Sequence, residues 1–341
     1  MIDLFRCTHA ELVALLAQWG LARVHAVRLW RYLYREELTS FADMTELPAR
    51  LRAQLISEAE LTLPTCRQEV HSSDGQTRKF LLELHDGRQV ETVLMRYRDR
   101  LTACISSQVG CAFGCVFCAT GQMGFVRHLS ASEIVAQVMF LERWLRPGNE
   151  HVRNLVLMGM GEPLHNYDAV MQALEIMSDS SGLAVATKSI TVSTVGVIPG
   201  IVRMADERRP YSLAVSLHAA TQSAREALIV SAKAWPLNEL IEACRYYARQ
   251  LAKKVFIEWT VIDGENDTPQ QATQLAELLQ GLPAQVNLIP LNPTTGYDGH
   301  PGQRAAIVQF REILRQHGFP STVRQRRGID IAAGCGQLAG A

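Results

Sequence analysis

Three cysteines fall within the short stretch "CAFGCVFCAT": Cys111, Cys115 and Cys118. Three thiolates on one tight loop can hold an iron–sulfur cluster or a zinc ion. A structural zinc site wants a fourth Cys or His at motif spacing, and nothing pairs the nearest candidate, His128, with another ligand. A ferredoxin-type cluster also takes a fourth cysteine. Three thiolates on a cluster of four irons leave one iron open, and an open metal position is the mark of a catalytic centre.

Other residues carry chemistry further along. "LVLMGMGEP" ends an apolar run in glycines, so that backbone can approach a ligand closely at Gly161, and Glu162 can take an ammonium group. Ser193 ends the next apolar run. Ser216 and His218 stand two apart in "SLHA", a spacing that puts both on one face of a strand. Read alone, each of these side chains is as readily a satisfied structural group. Glu91 in "RQVETV" reads as a solvated carboxylate, and Cys104 in "LTACISS" as a small buried hydrophobe. Cys7, Cys66 and Cys244 receive the same bland reading. Cys335 differs, because Gly334 and Gly336 flank it in a tail that reads as a mobile loop. Just before it, "TVRQRRG" gathers Arg324, Arg326 and Arg327 into a basic patch suited to phosphates.

These residues need elements to position them. Strand-like runs occur at "LTACISS", "NLVLMGMG", "SITVSTVG", "YSLAVSLHA", "KVFIEWTVI" and "AQVNLIPLNP", with helical stretches such as "SASEIVAQVMFLERWL" between most of them. The alternation predicts an α/β fold with a parallel sheet, and glycine or polar residues at the strand ends predict a barrel or partial barrel with its site there. A doubly wound sheet obeys a similar rule, and strand count alone does not separate the two. Residues 66–106 carry two Asp-Gly turn signals, at Asp74-Gly75 and Asp86-Gly87, and read as a hairpin or short meander. The first sixty residues read as helices. Thr8 and Glu11 have capping-box spacing, Gly20 closes that helix, and Arg28, Arg31 and Arg35 give the next one a basic face.

Composition bounds the rest. Lys plus Arg and Asp plus Glu both number 34, so any RNA partner must be held by a local patch rather than by net charge. No apolar run approaches the ~20 residues of a membrane span, and the N-terminus lacks a basic segment leading into an apolar one. A cytoplasmic protein with reduced thiols, and no membrane partner, is therefore expected.

The spacing of Cys111, Cys115 and Cys118, with Phe117 before the last, closely resembles the signature of the radical S-adenosylmethionine (SAM) superfamily. "SSQVGCAFGCVFCATGQMGF", "LVLMGMGEPLHNY", "SLHA", "NLIPLNP", "RGIDIAAGCGQLAG" and the N-terminal "FADMTELPARLRAQL" together resemble the RlmN/Cfr family of RNA adenosine methyltransferases. The resemblance runs nearly end to end. It implies a partial (β/α)6 TIM-like radical SAM barrel with a small N-terminal helical domain and a β-hairpin extension: residues 1–62 helical and RNA-binding, 63–98 a hairpin or meander linker, 99–341 the core. It implies a [4Fe-4S] cluster on the three cysteines and SAM in the fourth position. It places Gly161, Glu162, Ser193, Ser216, His218 and Asn292 around SAM. Two SAM molecules are used per turnover, one methylating Cys335 and one as radical source. Glu91 is implied as the base, and Cys104 as the thiol that forms a disulfide with Cys335 to release a covalently held RNA. The implied substrates are 23S rRNA and tRNA, methylated at adenosine C2, with C8 as the alternative or another RNA or protein substrate on the same architecture. An external reductant such as flavodoxin and a monomeric state complete the expectation. One departure stands out: the family commonly has alanine where this chain has Gly334, which predicts a looser Cys335 loop.

Overall fold

The computed structural model describes residues 1–98 and 100–340. Ten strands form its main sheet: β1 (Thr65–His71), β2 (Thr77–Glu83), β3 (Gln89–Tyr97), β4 (Arg100–Cys104), β5 (Val152–Leu157), β6 (Ile190–Thr194), β7 (Ser212–Ser216), β8 (Val255–Val261), β9 (Ala284–Pro290) and β10 (Ser321–Val323). Strands β4 to β10 are all parallel and lie side by side in chain order. A doubly wound sheet needs a point where strand order reverses. None occurs in this run, so every parallel strand delivers its carboxyl end to one rim. That is the six-unit partial barrel, with β10 as a seventh short parallel strand that the sequence reading did not separate from the tail.

The runs form strands because apolar, largely β-branched residues alternate along them, giving one face that packs on the helices and an inner face that carries polar groups such as Glu258 and Thr260. In β8, Val255, Ile257, Trp259 and Val261 are buried, and Trp259 packs against Phe310 at 5.5 Å between ring centroids. The chain crosses between strands through α4 (Ala131–Leu145), α5 (Tyr167–Ser178), α6 (Ile198–Asp206), α7 (Gln222–Leu228) with α8 (Leu237–Leu251), α9 (Pro269–Leu278) and α10 (Arg304–Gln316). Ser130 with Glu133 and Thr268 with Gln271 close capping boxes at the starts of α4 and α9, each cap supplying about 1 kcal/mol.

The stretch read as a hairpin or meander is β1 to β3. It continues the barrel sheet, because β3 pairs antiparallel with β4. Cys66 lies on β1, the outer edge strand, and is exposed; Cys7 is half-buried. The bland reading fails for Cys66, since an edge strand packed on neither face has no interior to offer, and holds in part for Cys7, which packs against the core. Cys244 is buried, as expected.

Ahead of the sheet stand α1 (His9–Gln18), α2 (Arg23–Tyr34) and α3 (Ala49–Glu58). Thr8 and Glu11 cap α1 reciprocally, and Gly20 follows it at φ +74°. Trp30 Nε1 donates to Asp179 at 3.2 Å, and Arg35 donates to the Ser180 carbonyl at 2.9 Å, which ties this module to the turn after α5. No helix of the structure is long and apolar enough to cross a membrane.

Candidate active site

A cleft enclosing about 980 Å³, open solvent at its mouth included, opens at the carboxyl ends of the strands. Cys111, Cys115 and Cys118 line one side of it. Their loop is stitched down twice: the Cys111 N–H donates to the Gly124 carbonyl at 2.9 Å, and the Val116 N–H to the Leu228 carbonyl at 3.0 Å. Gly121 packs directly beneath, where an added Cβ would sit 2.9 Å from the Cys115 backbone N and O. Burial pushes the Cys111 thiol up to about 12 and raises Cys115 well above its ordinary value, so a metal arriving here must displace protons. Among the described residues, no three Cys, His, Asp or Glu converge on a single ion position.

Across the cleft, Glu162 is 4% exposed and its carboxylate accepts the N–H groups of Val195 (2.7 Å) and Leu164 (3.0 Å). Burial outweighs those bonds and pushes its pKa up to about 7. A buried carboxylate with no cation beside it is a receptor for an incoming ammonium group. Gly161 lines the same cleft, but its glycine has a further reason. At φ +98°, a Cβ would lie 2.5 Å from Cβ of Gln108, and that same glutamine accepts the Glu162 N–H at 2.8 Å.

Ser193, Ser216, His218 and Asn292 line the cleft as well. Ser216 ends β7, and the chain leaves the strand before His218, which adopts a left-handed φ of +60°. The expected strand alternation therefore does not bring Ser216 and His218 together; a backbone turn does. Nδ1 of His218 accepts the Thr260 N–H at 2.9 Å, leaving Nε2 to carry the proton, and burial pushes the pKa down to about 3. His218 is a neutral donor at any working pH. Asn292, just beyond β9, donates to the Cys335 carbonyl at 3.0 Å.

Cys335 lines the cleft and also a second chamber of about 780 Å³, which Cys104 lines from the end of β4. Its surface is exposed, but to these two cavities. Burial by the surrounding chain raises the pKa of Cys335, while the Arg324 guanidinium pulls it back; Cys104 is pushed up to about 12. The tail is pinned rather than loose. Gly336 accepts the Ala119 N–H at 2.7 Å, the Leu338 carbonyl accepts the Thr120 hydroxyl, and Gln337 donates to the Pro293 carbonyl at 2.9 Å. At Gly334 a Cβ would lie 2.6 Å from Nδ2 of Asn292 and 2.8 Å from Oε1 of Gln337. The glycine tightens this loop by close approach, against the expectation that it loosens it.

Glu91 borders neither cavity. It is buried on β3, paired with Lys79 at 2.7 Å, and accepts the N–H groups of Ala339 (2.8 Å) and Gly340 (3.4 Å). Lys79 also donates to the Ala332 carbonyl at 3.2 Å, so one ion pair grips the Cys335 loop at both ends. The solvated reading of Glu91 is corrected by this burial.

The arginines are divided. Arg324 pairs with Glu258 at 3.2 Å, and Arg327 lies 4.5 Å from the Tyr97 ring and donates to the Arg96 carbonyl at 2.9 Å. Arg326 is exposed at the edge of the second chamber. Arg28 is consumed by Glu36 and Glu46 and lies 3.7 Å from the Tyr32 ring; Arg31 is exposed. Sequence reading missed Glu258. It lines the cleft at 3% exposure, held by Asn287 at 2.8 Å, with Oε2 unpartnered. Its signal was available: a lone acid inside the apolar run "KVFIEWTVI".

Known proteins resemble the chain in both parts. Residues 105–276 match the family model of the radical SAM superfamily, and residues 2–61 that of the ribosomal RNA large subunit methyltransferase N-terminal domain. A probable dual-specificity RNA methyltransferase RlmN 2 of Opitutus terrae is 55% identical, covering 99% of this chain and 86% of that protein. The dual-specificity RNA methyltransferase RlmN 1 of Myxococcus xanthus is 52% identical over 98% of this chain and 94% of its own. A crystal structure of a radical SAM methyltransferase from Sphaerobacter thermophilus superposes with a TM-score of 0.95 at 44% identity, covering all of both chains. Enzymes of this superfamily use a [4Fe-4S] cluster and SAM. The chain belongs to the RlmN family of radical SAM methyltransferases.

Proposed function

We propose that the chain methylates a ring carbon of adenosine, C2, in 23S rRNA and in tRNA. One observation carries this reading: Cys335 borders the cleft of the three cysteines on one side and the Cys104 chamber on the other. A generic radical enzyme needs no sulfur at that wall.

Cys111, Cys115 and Cys118 hold the cluster; Gly161, Glu162, Ser193, Ser216, His218 and Asn292 hold SAM. When bound, this pair supplies the hydrogen-abstracting radical. The residues of the chain do the rest. Cys335, as thiolate, takes a methyl group by displacement. Its S-methyl carbon, after losing one hydrogen, bonds to the adenine ring and joins RNA to protein; the unpaired electron this leaves on the ring would pass to the cluster when one is bound. Glu91 removes the ring proton, which requires the Ala339 and Gly340 N–H groups to let go of its carboxylate. The Cys104 thiolate then attacks the Cys335 sulfur, an S–S bond forms, and the methylated RNA leaves. An external reductant such as flavodoxin returns the two thiols and supplies the cluster's electron.

Arg326 and Arg31 are the cations best placed for phosphate, with Arg324 and Arg327 shaping the chamber wall. We assign residues 1–62 to RNA binding, 63–98 to the sheet extension and 99–341 to the catalytic core, in a cytoplasmic monomer. A target base in folded RNA must be flipped from its stack to reach Cys335. The test is peptide mass spectrometry of Cys335 after anaerobic incubation with SAM. One added methyl group, absent in Cys335→Ala, supports the reading. A bare Cys335 in a chain that holds its cluster and cleaves SAM overturns it.

A further inference from the structure

Arg225 on α7 is 1% exposed, yet no carboxylate pairs with it among the described residues. Its Nη2 donates to the Val195 carbonyl, and its Nε has no acceptor at all. A buried charge left so poorly satisfied is costly, and folds retain one where something of opposite sign arrives. Burial pushes the guanidinium down to about 10, so it stays cationic at neutral pH. The groups whose charge it feels are the thiols of Cys115 and Cys244 and, on another side, the neutral His218. Arg225 does not line the cleft, so it touches no bound molecule there.

The backbone ties Arg225 to the cysteine loop. The Ile229 N–H donates to the Arg225 carbonyl at 2.8 Å, Cys115 forms a β-bridge with Ile229, and Leu228 accepts the Val116 N–H. Helix α7 therefore carries a fixed cation and the loop as one unit. The other charges of the site are three thiolates once metal is bound, Glu162, and Glu258, which already has its own cation in Arg324.

We propose that Arg225 is the internal counter-charge of the cluster centre and raises its reduction potential. The inference rests on the reading that Cys111, Cys115 and Cys118 hold a [4Fe-4S] cluster. With three thiolates, the oxidised cluster carries one net negative charge. It gains one electron from an external one-electron donor, with no proton, and then carries two. A buried positive charge stabilises the second state more than the first, which eases an otherwise difficult reduction. Arg225 is thus a tuning residue, acting through its field.

The experiment compares the intact chain with Arg225→Lys and Arg225→Met, each reconstituted anaerobically, assayed for iron and sulfide, and titrated by electron paramagnetic resonance without SAM. In Arg225→Met the reduction equilibrium should fall about tenfold or more, a midpoint lower by ~59 mV for a one-electron couple. Arg225→Lys, which keeps the charge, should stay close to the parent. If Arg225→Met does not load iron while Arg225→Lys does, charge is needed even to assemble the centre, and the proposal stands. It is overturned if loaded Arg225→Met keeps the parental midpoint. It is equally overturned if both variants fold but fail to load, because the guanidinium's shape would then be what matters. A parent chain that binds no iron sinks the cluster reading itself, a separate result.

Discussion

Glu162 ties SAM affinity to pH. Its carboxyl titrates near 7 in the empty site because burial disfavours the anion. An ammonium group can pair only with the ionised form. For a group titrating at about 7, the ionised fraction is roughly 0.9 near pH 8 and roughly 0.1 near pH 6. SAM affinity should therefore weaken about tenfold over that range, or ~1.4 kcal/mol. The assay is equilibrium binding of SAM to the anaerobic, cluster-loaded chain, run beside Glu162→Gln. The ligand's own titration is common to both, so only the carboxylate distinguishes them. Glu162→Gln should bind more weakly at pH 8, by about 2–5 kcal/mol, and show a flatter profile. Parallel profiles for the two chains would refute the assignment of Glu162 as the ammonium partner.

The same carboxyl makes a stability prediction. Its pKa in the folded chain lies above the unfolded value, so between roughly pH 4.5 and 7 the folded state binds the extra proton. SAM-free stability should fall as pH rises through that window, and Glu162→Gln should lose the trend in urea denaturation. Lys79→Met removes the grip on the Ala332 end of the Cys335 loop and strands the buried Glu91 carboxylate that holds the other end; we expect a loss of about 3 kcal/mol and faster amide exchange at 332–340. Arg324→Met removes the cation that lowers the Cys335 pKa, so alkylation of Cys335 by iodoacetamide should shift to higher pH. Cys104→Ala should leave RNA covalently attached, visible as a slow band on a denaturing gel that a thiol reductant does not release.

The barrel was legible because its strands are apolar runs separated by helical stretches and end in glycine or polar residues, a pattern that survives without knowledge of neighbours. The cap at Thr8 was legible for a like reason, since it is completed within three residues. Strand β10 was not, being three residues with two exposed; only its pairing with β9 makes it a strand. His218 misled because a left-handed turn interrupts the alternation. What decides the roles of Glu91, Arg28 and Arg327 is partners brought together by folding. Glu91 meets Ala339 across 248 positions, and no local pattern announces such a contact.

The Lys79–Glu91 pair sets a limit on how this enzyme can diversify. Surface tails ordinarily absorb insertions at little cost, because closing a longer loop adds only slowly to the entropy. Here the chain from Ala332 to Ala339 is a hoop whose two ends are fastened to neighbouring strands, with the reactive sulfur held midway. One residue more or fewer would rotate Cys335 off the wall between its two cavities while leaving both fastenings intact. The hoop's length is thus a measured reach, and selection should tolerate new side chains along it far more readily than a change in residue number.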